Sequence, residues 1–181
     1  QHIKCMETLF KYGADVGIKA NRERTVLAMC MADVEDEPVS SPETSLSPSE
    51  TCVQMLLKQK ADVNETDGEQ RTALIHACIQ GRTDCLDHLI TPKIIEHRDE
   101  DGRTALMHAC YQNYEGCVRY LLNAKADPTS NPSDSALIIA TMEDNYACCK
   151  LLLEAGADAD YVNDEKIEDY DVYEYDDEDE E

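Results

Sequence analysis

Apolar and polar positions recur along this chain in a fixed order, and the order is that of short amphipathic helices. Anchored on a cysteine, one block reads apolar at the anchor and at the first, fourth and fifth positions after it: Cys5, Met6, Leu9, Phe10. The same spacing returns as Cys52, Val53, Leu56, Leu57, as Cys85, Leu86, Leu89, Ile90, as Cys117, Val118, Leu121, Leu122 and as Cys148, Cys149, Leu152, Leu153. Two residues past each anchor stands a polar side chain: Glu7, Gln54, Asp87, Arg119 or Lys150. Apolar at i, i+1, i+4 and i+5 with polar at i+2 marks one face of a helix of period 3.6.

A second kind of block precedes four of these. Arg71-Thr72-Ala73-Leu74-Ile75-His76-Ala77-Cys78 and Arg103-Thr104-Ala105-Leu106-Met107-His108-Ala109-Cys110 lie 32 residues apart and differ only at Ile75 against Met107. The stretches 24–31 and 134–141 are weaker copies. Thr25, Thr72, Thr104 and Ser135 each precede an Ala/Leu-rich run and are expected to cap a first helix. Ala77, Ala109 and Ala140 allow that helix close neighbours. Gly13 and Gly156 suit the left-handed residue that ends a second helix, and Asp67-Gly68 and Asp101-Gly102 are turn dipeptides before the next cap. One helix pair cannot bury both of its faces, so the units are expected to stack, giving an all-α solenoid with short hairpin connections.

These blocks resemble the ankyrin repeat family, through Gly102-Arg103-Thr104-Ala105-Leu106, the paired leucines and Gly156-Ala157-Asp158. The resemblance covers residues 2 to about 160 and implies an ankyrin-type helical solenoid of helix-turn-helix units joined by short β-hairpin loops. Four full units and an N-terminal half unit are counted within 1–159. Ala replaces the family's Pro after the capping Thr, and Ile75, Met107 and Ile138 replace its usual His. That substitution removes a Thr–His hydrogen bond common in the family. Thr91-Pro92-Lys93-Ile94-Ile95 stands where Gly-Ala-Asp is expected, so Pro92 should reshape that hairpin. An array that opens on half a unit, in a chain without an initial Met, is expected to continue upstream in a longer protein.

Charge changes this picture only in two segments. The net charge is −23, yet residues 160–181 hold thirteen acidic groups against one Lys, and residues 33–50 hold six against none. The remaining −5 is ordinary for a folded domain. Such acidity argues against nucleic acid or an anionic membrane as partner, since both reward basic patches. The insertion near 35–50, rich in Pro, Ser and acid, is expected to be a surface loop. Ser41-Pro42 and Ser47-Pro48 in it resemble proline-directed kinase sites. The tail, 160–181, is expected to be a disordered acidic arm carrying Tyr161, Tyr170, Tyr173 and Tyr175. Besides plain solvation, its alternative uses are contact with a basic, histone-like or Lys/Arg-rich partner, and tyrosine phosphorylation.

The nine cysteines do not suggest a metal or a disulfide framework. Five occupy one repeat column and Cys78 and Cys110 another, with Cys30 one position early and Cys149 beside a column residue. No C-x-x-C pair occurs, and the number is odd. They are expected to be small buried side chains in a reducing compartment, the cytoplasm or nucleus. No run of ~20 apolar residues is present to span a membrane. A catalytic reading would rest on His2, His76, His88, His97 or His108. None has a nucleophile, phosphate-binding glycine loop or second metal ligand at a suitable spacing. His76 and His108 share a column on stacked helices ~10 Å apart, too far for one ion. No enzyme activity and no cofactor are expected.

The reading is a monomeric, non-catalytic protein–protein interaction module. The resemblance implies that the first-helix face and the hairpins line a concave groove. His76 and His108 lie about 200° around that helix from Leu74 and Leu106, away from the buried side. Candidate contacts are Arg71, His76, Arg103, His108, Tyr111 and Tyr114. The alternatives are tail-mediated binding of a basic partner, and a substrate-recruiting or regulatory segment of a larger enzyme complex.

Overall fold

The computed structural model describes residues 2–17, 19, 23–31, 47–129 and 135–159. A lone helix, α1 (His2–Lys11), comes first, and helix pairs follow. They are α2 (Val26–Met31) with α3 (Pro48–Lys58), α4 (Ala73–Ile79) with α5 (Leu86–Leu89), α6 (Ala105–Tyr111) with α7 (Glu115–Asn123), and α8 (Ala136–Met142) with α9 (Tyr146–Glu154). Among the described residues there is no strand. The expected hairpins are tight turns, with one isolated antiparallel bridge, Thr66 to Thr72.

The caps fall where the sequence places them. The hydroxyls of Thr25, Thr72, Thr104 and Ser135 accept the amide N–H three residues on, at 3.1–3.4 Å. First helices form one layer, α2 against α4, α4 against α6 and α6 against α8, and α7 packs on α9 in the other. Between the layers runs one aliphatic core. Leu56, Leu74, Leu86, Leu89, Leu121 and Leu152 are 0 % exposed there. Burying each such side chain contributes about 1.5–3 kcal/mol.

Outside the third unit, the second helices end the same way. The N–H of the left-handed residue bonds back three carbonyls and that of the next residue bonds back five, a Schellman ending. Gly13 and Gly156 serve in two copies, Lys60 (φ 66°) and Lys125 (φ 71°) in the others.

Unit three departs from the pattern, as Pro92 suggests. Its second helix shrinks to a 3-10 turn (Thr83–Cys85) and one α turn (Leu86–Leu89). Ile94 and Ile95, in the reshaped turn, fill the core at 2 % and 8 % exposure.

Three sequence expectations need correction. Residues 47–50 are not loop. Ser47 caps α3, Pro48 takes its first position, where a missing N–H costs nothing, and the chain is helical from there. Cys5 is exposed and Cys30 and Cys149 are only half-buried, whereas the other six cysteines are buried. Cys5 lies on α1, which packs on α3 alone among its larger contacts, so its far face is uncovered. The third correction concerns His108, below. Residues 32–46, with Ser41, and the tail 160–181 lie outside the described residues.

Neighbouring units are also tied by side chains that reach main-chain groups. Asn145 Nδ2 donates to the carbonyls of Cys110 at 2.8 Å and Tyr111 at 3.4 Å, His97 Nε2 reaches the Gln70 carbonyl at 2.8 Å, and Lys19 Nζ donates to the Thr66 carbonyl at 2.9 Å. Glu96 accepts the Asp127 amide at 2.8 Å.

Candidate functional site

The first-helix face is organised by two turn aspartates. Asp99 Oδ1 accepts the amides of Asp101 at 3.1 Å and Arg103 at 2.8 Å, which closes the turn. Its Oδ2 meets His108 Nε2 at 2.7 Å and accepts from Arg71 Nε of the preceding unit at 3.3 Å. Asp67 repeats the arrangement, with Oδ1 on the Glu69 and Arg71 amides and Oδ2 on His76 Nε2 at 2.8 Å. In each case the carboxylate turns back over the helix that its own turn introduces. Burial alone would push the pKa of both aspartates up and disfavour their charged form. The hydrogen bonds outweigh it and hold both below the ordinary carboxylate value.

His108 is therefore not a surface contact. It is 4 % exposed, and its ring serves Asp99. Burial holds its basicity below the ordinary imidazole value, against the opposing pull of Asp99. Burial prevails, so the ring is the neutral donor that fixes the turn. His76 retains 12 % side-chain exposure beside Asp67.

Arg71 is 24 % exposed and is drawn in three directions, to Glu69, to Asp99 and to Asp101 at 3.6 Å. Most of its donors are thus committed within the fold. Arg103 is freer. Its guanidinium lies over the Tyr111 ring, 5.3 Å from the centroid, a cation–π stack along the outside of α6. Tyr111 is 42 % and Tyr114 38 % exposed. The Tyr114 ring also rests on Gly81 of the preceding unit, where a Cβ would come within 2.9 Å of it. The six candidate residues thus divide. Arg103, Tyr111 and Tyr114 offer surface, while Arg71, His76 and His108 mainly hold the turns.

Sequence reading missed several exposed apolar side chains nearby. Met29 and Met142, on first helices, and Tyr146, at the start of α9, are 47 %, 48 % and 79 % exposed. Met142 occupies the repeat position of Tyr111, a column whose outward direction could have flagged it. A separate open hollow of about 510 Å³ lies between the ends of α7 and α9, where Arg119, Lys125, Asp127 and Glu154 mix both signs of charge.

No group of three or more His, Cys, Asp or Glu able to hold a metal occurs among the described residues. The cysteines stand as neighbours across the helix pairs, Cys30 by Cys52, Cys78 by Cys117 and Cys110 by Cys148. The partner thiol and then burial push Cys30, Cys78 and Cys110 above the ordinary thiol range. That makes each of them a poor nucleophile. Among the described residues, no helix is long and apolar enough to cross a membrane.

Comparison with known proteins agrees with this architecture. Residues 45–132 match the family model for ankyrin repeats in three copies, and residues 134–164 match that for a single ankyrin repeat, together about two thirds of the chain. The crystal structure of an ankyrin repeat domain from Acinetobacter baumannii is similar, with a TM-score of 0.70 and 28 % sequence identity. The match covers 86 % of this chain and 76 % of that one. No curated protein matches the sequence.

Proposed function

This chain belongs to the ankyrin repeat family, whose members generally serve as protein–protein interaction modules, and from that premise we propose that it holds a partner peptide or domain across its first-helix face without catalysis. The observation that supports the proposal is a set of exposed apolar side chains on the first helices and at the starts of the second helices that follow them. Met29, Tyr111, Tyr114, Met142 and Tyr146 stand in solvent although the core beneath them is complete. Large apolar and aromatic groups on rigid helices give contact area at little entropic cost, and Arg103 over Tyr111 adds a cation held in place.

A second reading rests on the charge of −12 in residues 160–181, which would attract a Lys/Arg-rich partner. Affinity capture from lysate separates the two, using the full chain, a version ending at Ala159, and Arg103→Ala/Tyr111→Ala, each washed at low and moderate salt. Partners kept by the truncated chain at moderate salt and lost from the double variant support the first-helix face. Partners that follow the tail and vanish with salt would overturn it in favour of the acidic arm.

A further inference from the structure

Along the contact between α3 and the following unit runs a seam of polar side chains beside the buried core, and it begins at a Ser-Pro step. Ser47 has φ −66° and ψ 156°, the extended conformation favoured before proline. Its Oγ accepts the Glu50 amide at 3.0 Å and donates to Asp84 Oδ2 on the 3-10 turn of the next unit. One turn along α3, Glu50 Oε1 meets His88 Nε2 at 3.3 Å, and Gln54 Nε2 lies 3.2 Å from the same ring nitrogen. Ser47 is half-buried and is thus within reach of solvent. Its hydroxyl proton is the one that joins the units at this end of the seam.

We propose that Ser47 is a phosphorylation site for a proline-directed kinase, and that the phosphate opens the seam between α3 and the next unit. The γ-phosphoryl group of Mg-ATP passes to Ser47 Oγ. The Oγ–P bond forms, the bond from phosphorus to ADP breaks, and the hydroxyl proton leaves to the kinase's base. Ser47 then has no hydrogen to give Asp84 and carries nearly two negative charges beside that carboxylate. Glu50, three residues on, adds a third acidic group. A phosphate at the start of α3 does gain from the helix dipole, and it keeps an acceptor for the Glu50 amide. That gain is screened and acts on one helix end. The repulsion acts at hydrogen-bond range in a half-buried contact, where screening is weaker. The repulsion therefore decides the sign.

The test uses the full chain carrying Ser41→Ala, treated with a proline-directed kinase and Mg-ATP, with the modified residue mapped by mass spectrometry. Thr91-Pro92 does not compete, because the Thr91 hydroxyl is buried. Hydrogen exchange over residues 48–58 and 83–89 should quicken by about tenfold on phosphorylation. Ser47→Glu should move it in the same direction without a kinase. Asp84→Asn should remove most of the acceleration. Failure of the kinase to modify Ser47, when it modifies a peptide of the same sequence, would overturn the proposal. So would exchange that stays unchanged or slows, which would mean that the helix terminus or a cation such as Arg82 accommodates the phosphate.

Discussion

Replacing Lys60 and Lys125 by glycine should stabilise the protein. Both are exposed and stand at φ 66° and 71°, in the position that Gly13 and Gly156 fill elsewhere. An L-residue in that conformation costs about 1–2 kcal/mol, because its Cβ crowds the following carbonyl. Glycine escapes that cost but loses more freedom on folding, which returns about 0.5–1 kcal/mol. The net gain is about 0.5–1 kcal/mol per site. The sites lie in different units, so the two should add, to about 1–2 kcal/mol. For a chain of this size that corresponds to a rise of about 3–6 °C in Tm. Loss of a lysine near a helix C-terminus also removes a favourable charge, so the proper comparison is Gly against Ala at each position. Thermal and urea unfolding by circular dichroism would measure it. In reverse, Gly156→Ala should cost about 1 kcal/mol without any clash, since nothing lies within 4 Å of the added Cβ. Equal stability of the Gly and Ala variants at both lysines would refute the backbone argument.

Asn145→Ala should destabilise by about 1–3 kcal/mol, measured by urea unfolding, because it strips the donor from the Cys110 and Tyr111 carbonyls. Stability should fall as the pH drops below about 6.5, where the unfolded chain protonates His108 and the folded chain, with its value depressed, does not. The decline should level off below the folded-state value, and His108→Gln, which keeps a donor for Asp99, should flatten it in a urea series from about pH 8 to 5. Asp67 and Asp99, held below 3.8, add a later loss as the pH falls through their folded values. With a maleimide probe, Cys5 should react first and Cys30 and Cys149 more slowly. The six buried thiols should react only after unfolding, and early labelling of Cys78 or Cys110 would contradict the packing.

What the sequence made legible was whatever depends on local period. The four capping hydroxyls, the cysteine and leucine columns and the turn altered by Pro92 all follow from local spacing compared between copies of the unit. What it hid depends on contact across turns and units. The angle of His108 from Leu106 suggested exposure, but Asp99 folds back over the start of α6 and covers the ring. No helical wheel contains that carboxylate. Ser47 read as part of a polar loop because its partner, Asp84, is 37 residues away. Arg71 looked like a free cation for the same reason, since Asp99 belongs to the following unit. Tyr111 was expected at the surface and is 42 % exposed, since the cation laid over its ring, Arg103, comes from its own unit.

Several of the ties between units end on backbone atoms. Asn145, His97 and Lys19 all reach carbonyl oxygens of the unit before or after their own. A carbonyl survives every amino-acid substitution. At these joints a unit can therefore change its outward side chains while still presenting its neighbour with the same acceptors at the same places. In evolutionary terms, such a joint lets duplicated units drift apart independently. Each can acquire its own surface, or carry a long insertion like that in the second unit, without a matching mutation next door.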